Sequence, residues 1–525
     1  MDIIFVDDIE LMNKVENLAK ENNDFPFNSI DCKTWALVEN NNLFGYLIIQ
    51  HKYKDTYKIE HFFIINKVRR YGYGEKLLFV LFRNALTNGI VRINVEFDKS
   101  LNRFERLLKK MGFKNQMKDT PKSNVSMCYY VNEKNLYNSL LNVYIKNIKN
   151  SLLLNPTENF PFYDNFDTSM FEGLYVSENK RGINDKIIFG GRNDIVDLYD
   201  FVKETWCKRL NCAAVDLKTF SGLNAHLLFF LCAAKPGDTV VLLPEEAGGH
   251  YATKNILTKI GLNVIPLIID KGNHCVDIEK SKIIIYKNNP QFILIDRSEG
   301  LKYEDFTWLS EFKCTKVFDA SQYITQILTK HYPDPLKTFD VLISTLHKNY
   351  PGPQKCLICT KSMNDTWNEY EFNSKTFISN NHPSEFISSI IPLLDIEKLK
   401  KYSIECIQCV NRLYDELLKN GLPVVERGKS DFYTLHIWLK PETRDKSYQL
   451  YLKLEQLKIL TNYRLLPYDI GYGIRIGING AVRQGLRGKH IAQLAGIIKE
   501  AYFQQSLSKK LINQSRKFIK KITAK

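Results

Sequence analysis

Lys348 ends the run Phe339-Asp340-Val341-Leu342-Ile343-Ser344-Thr345-Leu346-His347-Lys348 and is followed at once by Asn349-Tyr350-Pro351-Gly352-Pro353. Val341-Leu342-Ile343 predicts a short buried strand, because three consecutive apolar residues sit between an acid and a hydroxyl pair. That strand delivers the lysine into a Pro/Gly-rich loop, where it can be held rigidly and still reach a ligand. A lysine so placed can form a Schiff base with an aldehyde, pyridoxal phosphate (PLP) being the usual one. A single lysine after a strand is more often a solvated surface group, so the chemistry depends on partners elsewhere in the chain.

Such partners exist. In Phe220-Ser221-Gly222-Leu223-Asn224-Ala225-His226, a hydroxyl and a bare glycine N–H open a predicted helix over 227–234, an arrangement that suits a phosphate and equally an ordinary N-cap. Asp319 ends the apolar strand Val317-Phe318. A carboxylate at the C-terminal end of a strand faces the crevice where α/β sheets bind ligands, and there it can keep a pyridinium protonated. Gly248-Gly249-His250 follows Leu242-Leu243-Pro244; the glycines permit close approach, and the imidazole can stack on a ring. Arg475, within Gly473-Ile474-Arg475-Ile476-Gly477, puts a guanidinium in an apolar strand. Burial obliges it to meet an anion, and bidentate pairing suits a carboxylate.

A second reactive spot lies near the N-terminus. The predicted strand Ile59-Glu60-His61-Phe62-Phe63-Ile64-Ile65 leads into Arg69-Arg70-Tyr71-Gly72-Tyr73-Gly74 and a helix over 76–85. Strand, glycine loop and helix together present backbone N–H groups and a positive helix end to phosphate. Cys356/Cys359 and Cys406/Cys409 formally spell CxxC…CxxC. The first pair reads as a strand, which turns its thiols to opposite faces, and the second as a helix, so no metal site is expected.

The elements that must position these groups fall into two unlike halves. Residues 1–133 read as a hairpin (Ala36-Leu37-Val38 with 43–49), the strand before the glycine loop, a helix, a strand over 93–97 and a helix from Asn102. Residues 134–150 read as a linker. From 151 onward, short apolar strands (240–243, 264–268, 292–295, 316–319) alternate with helical patterns, as in an α/β sheet with crossover helices. From about residue 390 a smaller C-terminal α+β subdomain is expected. With 525 residues, 44% hydrophobic and 25% charged content, the chain is a multidomain globular protein. No apolar run is long enough for a membrane span and the start is acidic, so the cytoplasm is the expected location. The eleven scattered cysteines fit a reduced compartment. The net charge of +15 raises a polyanion partner. Residues 508–525 carry seven basic residues and no acid, with Leu511, Phe518, Ile519 and Ile522 interspersed. That pattern predicts an amphipathic helix docked on the body, and a solvated basic surface rather than a nucleic-acid module.

Residues 1–133 resemble the GNAT acetyltransferase superfamily, whose RxxGxG loop holds the pyrophosphate of acetyl-coenzyme A. The resemblance implies that Arg69, Gly72 and Gly74 bind that coenzyme and that Glu60 is the general base for an amine. Leu108 stands where the family often has a tyrosine acid. A degenerate or regulatory domain is the alternative. The chain from about 150 onward resembles serine hydroxymethyltransferase and its relatives, fold-type-I PLP enzymes.

By that resemblance Lys348 carries PLP, Ser221 and Gly222 hold its phosphate, Asp319 its pyridinium, and His250 stacks on its ring, with His347 and Gly352 beside the cofactor. Arg475 would bind the substrate carboxylate, near Thr157 and Tyr175. Glu178 would move the hydroxyl proton as a β-hydroxy amino acid is cleaved between Cα and Cβ. Tyr175, Glu178 and Gly352 imply a homodimer, because in the family these segments complete the neighbouring subunit's site. Departures surround the substrate: Ile187-Ile188-Phe189 replaces Arg-Tyr-Tyr, Asp319-Ala320-Ser321-Gln322 replaces Asp-x-x-His, and Tyr350-Pro351-Gly352-Pro353-Gln354-Lys355 replaces Arg-Gly-Pro-Arg-Gly-Gly. They point to a specialised hydroxymethyl- or aldehyde-transferring relative and leave tetrahydrofolate open. The leading expectation is a bifunctional enzyme joining this chemistry to N-acetylation. Racemisation, decarboxylation or acyl-coenzyme A condensation on the same scaffold is the alternative, and a polyanion-binding protein with two inert enzyme folds is the third.

Overall fold

The computed structural model describes residues 2–21, 32–39, 41–69, 72–116, 123–132, 135, 152–154, 183–184, 192–377 and 383–523, with backbone alone at 2, 153, 192–198, 383, 384 and 387. The chain forms two compact units, Met1–Asn150 and Ser151–Lys525.

The first unit is a seven-stranded sheet of β1 (Asp2–Phe5), β2 (Cys32–Glu39), β3 (Asn42–Tyr53), β4 (Thr56–Ile64), β5 (Arg92–Asp98), β6 (Lys114–Asn115) and β7 (Asn124–Tyr130), in the order β1-β2-β3-β4-β5-β7-β6. Helices α1 (Ile9–Glu21), α2 (Tyr73–Thr87) and α3 (Asn102–Lys110) accompany it. The predicted hairpin is β2–β3, paired antiparallel. The β4–β5 pairing is parallel and runs only from Thr56↔Arg92 to Ile59↔Val95. Beyond it β4 continues to Ile64 and β5 to Asp98 without pairing each other. The result is a cavity of ≈ 980 Å³ lined by Glu60, Phe62, Arg69, Gly72, Gly74 and Leu107 among others.

In the second unit the main sheet comprises β9 (Ala214–Asp216), β10 (Thr239–Leu242), β11 (Asn263–Pro266), β14 (Phe292–Asp296), β15 (Thr315–Asp319), β16 (Val341–Thr345) and β17 (Cys356–Thr360), ordered β11-β10-β14-β15-β16-β17-β9. Neighbours from β11 to β16 run parallel, and β17 is antiparallel to both its neighbours. Such strands are buried on both faces, which is why they read as unbroken apolar runs. Successive residues feed different cores: Val317 and Ile343 pack on one side, Phe318 and Leu342 on the other. Cys356 and Cys359 follow the same rule and enter opposite cores. Smaller pairings are β12 (Ile269–Asp270) with β13 (Cys275–Val276), and β8 (Leu152–Leu153) with β19 (Ile459–Leu460).

The C-terminal part opens with helix Ile396–Lys419 and holds a three-stranded sheet of β18 (His436–Leu439), β20 (Asn462–Leu466) and β21 (Gly471–Gly477), ordered β18-β21-β20. The terminal basic helix, Lys509–Thr523, docks on the body as expected. Leu511, Phe518, Ile519 and Ile522 are buried, and the Ser515 hydroxyl donates to the Leu457 carbonyl at 2.8 Å. Among the described residues no helix is long and apolar enough to cross a membrane.

Candidate active site

The parallel strands β14, β15 and β16 all end on one edge, and their last residues are Asp296, Asp319 and Thr345. Asp296 and Asp319 are register partners, so two buried carboxylates emerge side by side. Like charges so close are costly unless a cation stands between them. Helix Gly222–Ala233 supplies it through His226, whose Nε2 is 3.0 Å from Asp319 Oδ2 and whose Nδ1 is 4.0 Å from Asp296 Oδ2. Burial pushes the His226 pKa down, but the Asp319 hydrogen bond and the two carboxylate charges outweigh it and the net shift is upward. The Thr253 hydroxyl donates to Asp296 at 3.0 Å and lies 3.3 Å from His226 Nδ1. Asp319 Oδ1 accepts from the Ser321 backbone N–H at 2.8 Å. Burial alone would raise the Asp319 pKa; His226, then the Lys348 charge, hold it at about 2. The three ligand atoms lie within 4.8 Å of one another, a spacing a metal ion also accepts; the upward shift of His226 favours the protonated ring, whose nitrogens donate to the carboxylates instead of ligating a metal.

The same edge carries the helix start. Ser221 is the N-cap, its hydroxyl accepting from the Asn224 N–H at 3.2 Å. A Cβ on Gly222 would stand 3.5 Å from Thr345 Cγ2 and 3.6 Å from Asp319 Oδ2, so the bare backbone of this N-terminus faces the Asp319 carboxylate and the end of β16. Gly248 has φ +92°, and a Cβ there would run into the Glu299 carbonyl. This tight contact positions His250, whose N–H donates to Asp296 at 3.3 Å and whose ring stacks on Tyr251 at 4.6 Å. Burial, against the pull of Asp296 and with the push of Lys348, lowers the His250 pKa and keeps the ring neutral.

Lys348 is half-buried three residues beyond β16, and its carbonyl accepts from Asn479 at 3.5 Å. Burial and the Lys348 charge drop His347 to about 4. The Gly352 N–H closes the loop onto the Leu346 carbonyl at 2.9 Å, and a Cβ on Gly352 would strike the Tyr350 ring. Several buried polar atoms around this loop lack a hydrogen-bond partner: Thr345 Oγ1, His347 Nδ1, Asn349 Nδ2 and Asn479 Oδ1. Buried groups are rarely left so, and their clustering marks a place built to receive something polar.

Arg475, on β21, is buried, but it is not waiting alone. Its Nη1 and that of Arg464, on β20, both bind Glu299 Oε1, and its Nη2 donates to Asn462 Oδ1 at 3.1 Å. The reasoning that a buried guanidinium must find an anion holds; the anion in this structure is the chain's own. Nearby, His436 Nε2 meets Gln322 Oε1 at 3.2 Å, so the glutamine of Asp319-Ala320-Ser321-Gln322 brings in a histidine from β18. Burial, then the Arg475 charge, keeps that histidine neutral.

In the first unit, Gly72 (φ +84°) is the N-cap of α2, and a Cβ on Gly74 would stand 3.0 Å from Leu107 Cδ2. Arg69 folds back, its Nε donating to the Ile64 carbonyl at 2.5 Å and its guanidinium lying over the Phe63 ring. Glu60 is ion-paired to Lys58 at 2.8 Å. Leu108 is buried in the unit's core, while Leu107 faces the cavity.

Thr157, Tyr175 and Glu178 lie outside the described residues. Sequence reasoning passed over His226, Asp296, Glu299, Gln322 as a partner, His436 and Arg464. Asp296 carries the same signal as Asp319, an acid closing an apolar strand; the others carry none that a single sequence exposes.

The serine hydroxymethyltransferase family profile matches residues 138–498, and the acetyltransferase (GNAT) family profile residues 7–113. A serine hydroxymethyltransferase from Thermoplasma volcanium is 26% identical over 337 residues, covering 61% of this chain and 79% of its own length. One from Saccharolobus solfataricus is 25% identical over 366 residues, covering 66% and 82%. The crystal structure of L-threonine transaldolase from Pseudomonas fluorescens, in its internal aldimine state, superposes with a TM-score of 0.67 over 73% of this chain and 90% of that one, at 21% identity, a likeness of fold.

Proposed function

The chain belongs to the serine hydroxymethyltransferase family through residues 138–498 and carries a GNAT-family domain ahead of it, and from that premise we propose a bifunctional enzyme. Its second unit makes or breaks the Cα–Cβ bond of an amino acid with PLP, and its first acetylates an amine from acetyl-coenzyme A. The observation that carries the first half is the linked set at the ends of β14–β16: a carboxylate held ionised at about 2, Asp319, with Lys348 close enough to act on its pKa.

The residues fit PLP. The N-terminus of helix Gly222–Ala233, with Ser221 and Gly222, suits its phosphate, Asp319 its pyridine nitrogen, Lys348 its aldehyde, and the unpartnered Thr345 and His347 atoms its remaining polar groups. Bound there, it supplies an electron sink for the bond broken at Cα. The chain's residues do the rest. His226, with its Nε2 3.0 Å from Asp319 Oδ2, favours the ionised form of Asp319. His250, neutral, offers a flat ring rather than a charge. Arg475 takes the substrate carboxylate and thereby sets which Cα bond is aligned. Glu178 is the proposed acid/base, and a homodimer the proposed assembly.

For the first unit, the gap between β4 and β5 and the glycine-opened α2 support a coenzyme A cleft. Glu60 can serve as base once Lys58 yields it.

The test is product analysis of the full chain with PLP, glycine and an aldehyde, against a single chiral amino acid alone. A new carbon–carbon product supports the reading. Racemised or decarboxylated product without it would favour the alternative chemistry on the same scaffold.

A further inference from the structure

Around Arg475 the hydrogen bonding is lopsided. Glu299 Oε1 takes two guanidinium groups, while Glu299 Oε2 and Arg475 Nε are buried with no partner at all. Two guanidiniums and one carboxylate leave one positive charge unanswered, since His436 beside them is kept neutral by burial. The Glu299 backbone is pinned, its N–H donating to the Gly248 carbonyl at 2.8 Å, so a change of partner falls to its side chain alone. Arg464 keeps its own hold on the backbone through the Leu465 carbonyl at 3.0 Å and is a quarter exposed.

We propose that Glu299 is a built-in stand-in for the substrate's carboxylate, which the incoming amino acid displaces from Arg475 onto Arg464. The exchange turns one overloaded oxygen into two fork-like pairs. Arg475 binds the substrate carboxylate bidentately through the edge that includes Nε, giving that nitrogen a partner, and Glu299 swings to Arg464, giving Oε2 one. It also closes the charge count, two guanidiniums against two carboxylates, so the site selects a substrate with one carboxylate at this end and rejects a second acid nearby. The inference rests on the reading of Arg475 as the substrate-carboxylate residue.

Because it concerns a carboxylate and not the reaction, acetate is a sufficient probe. The measurement is the acetate-dependent rise in melting temperature of the full chain, with and without PLP, against a chloride control. Glu299→Gln, which removes the competitor, should bind acetate about tenfold more tightly if Arg475 is occupied by Glu299 some nine-tenths of the time. Arg464→Met, which leaves Glu299 to Arg475 alone, should bind it about tenfold more weakly, with Arg464→Lys between. Opposite signs are the signature, since damage to packing would weaken binding in both. Weaker or unchanged acetate binding in Glu299→Gln overturns the proposal. The absorbance change of the PLP-loaded protein on adding glycine reads the parent hypothesis separately. If it is absent while the opposite signs persist, the exchange stands and the cofactor reading falls; if it is present while they fail, the exchange falls.

Discussion

At the edge of the second unit's sheet, two buried carboxylates raise the pKa of the His226 imidazole between them, and His226 and the Lys348 charge lower that of Asp319; in the first unit's cleft the candidate base Glu60 keeps 24% of its side-chain surface and is held by Lys58. One site gets its chemistry from side chains locked into a mutual charge network. The other, in the proposed acetyl transfer, would get it from backbone, in the parted strands and a glycine-capped helix, with side chains that must rearrange to act. Burial strengthens every electrostatic term at the first and leaves those at the second screened by water. Substitutions of charge should therefore dominate in one unit, and substitutions of shape in the other.

The largest effect expected is Asp319→Asn, which should cut carbon–carbon turnover by about 10²–10³-fold and leave acetyl transfer untouched. It should also lower the His226 pKa, readable by NMR, because the carboxylate that raises it is gone; an unmoved His226 would break the network account. Next is Gly74→Val, where the added methyls press on Leu107. Acetyl-coenzyme A affinity should fall by about tenfold or more as the helix start is pushed off the phosphate position, with no change in PLP absorbance. Glu60→Gln should lower acetyl transfer by about tenfold, the low side of general-base effects, because the Lys58 pair already restrains it; a thousandfold loss would erase the contrast between the units.

The last, which touches neither activity, is a stability effect at Lys355, in the loop after Lys348. Burial drops its pKa from 10.5 to about 8. The unfolded chain then holds the extra proton between those values, so stability should rise as the pH climbs from 8 towards 10.5, by at most about 3 kcal/mol. Lys355→Met should flatten that slope in pH-resolved denaturant melts.

Much of the second unit was legible because burial on both faces writes strands as plain apolar runs, and each predicted strand from 240 to 319 has its counterpart in the sheet. Lys348, Asp319 and the Ser221-Gly222 helix start were legible because each sits at a strand or helix end, where the chain pattern changes. The charge partners were not. Glu299 reaches Arg475 across 176 residues and Arg464 across 165, and nothing in Arg-Ser-Glu-Gly or Tyr-Arg-Leu-Leu announces a shared oxygen. His436 was hidden in the same way, since its meeting with Gln322 depends on how β18 packs against the turn after β15. In the first unit β2 to β5, α2 and α3 were likewise readable and β1, α1, β6 and β7 were not, while the inward fold of Arg69 depends on a ring and a carbonyl that the parted β4 presents.

The most direct test of the central claim is borohydride reduction of the PLP-loaded chain, followed by peptide mass mapping. The account predicts one pyridoxyl group per chain, on Lys348, absent from Lys348→Ala while acetyl transfer persists. A label on another lysine, or no label at all, would contradict it.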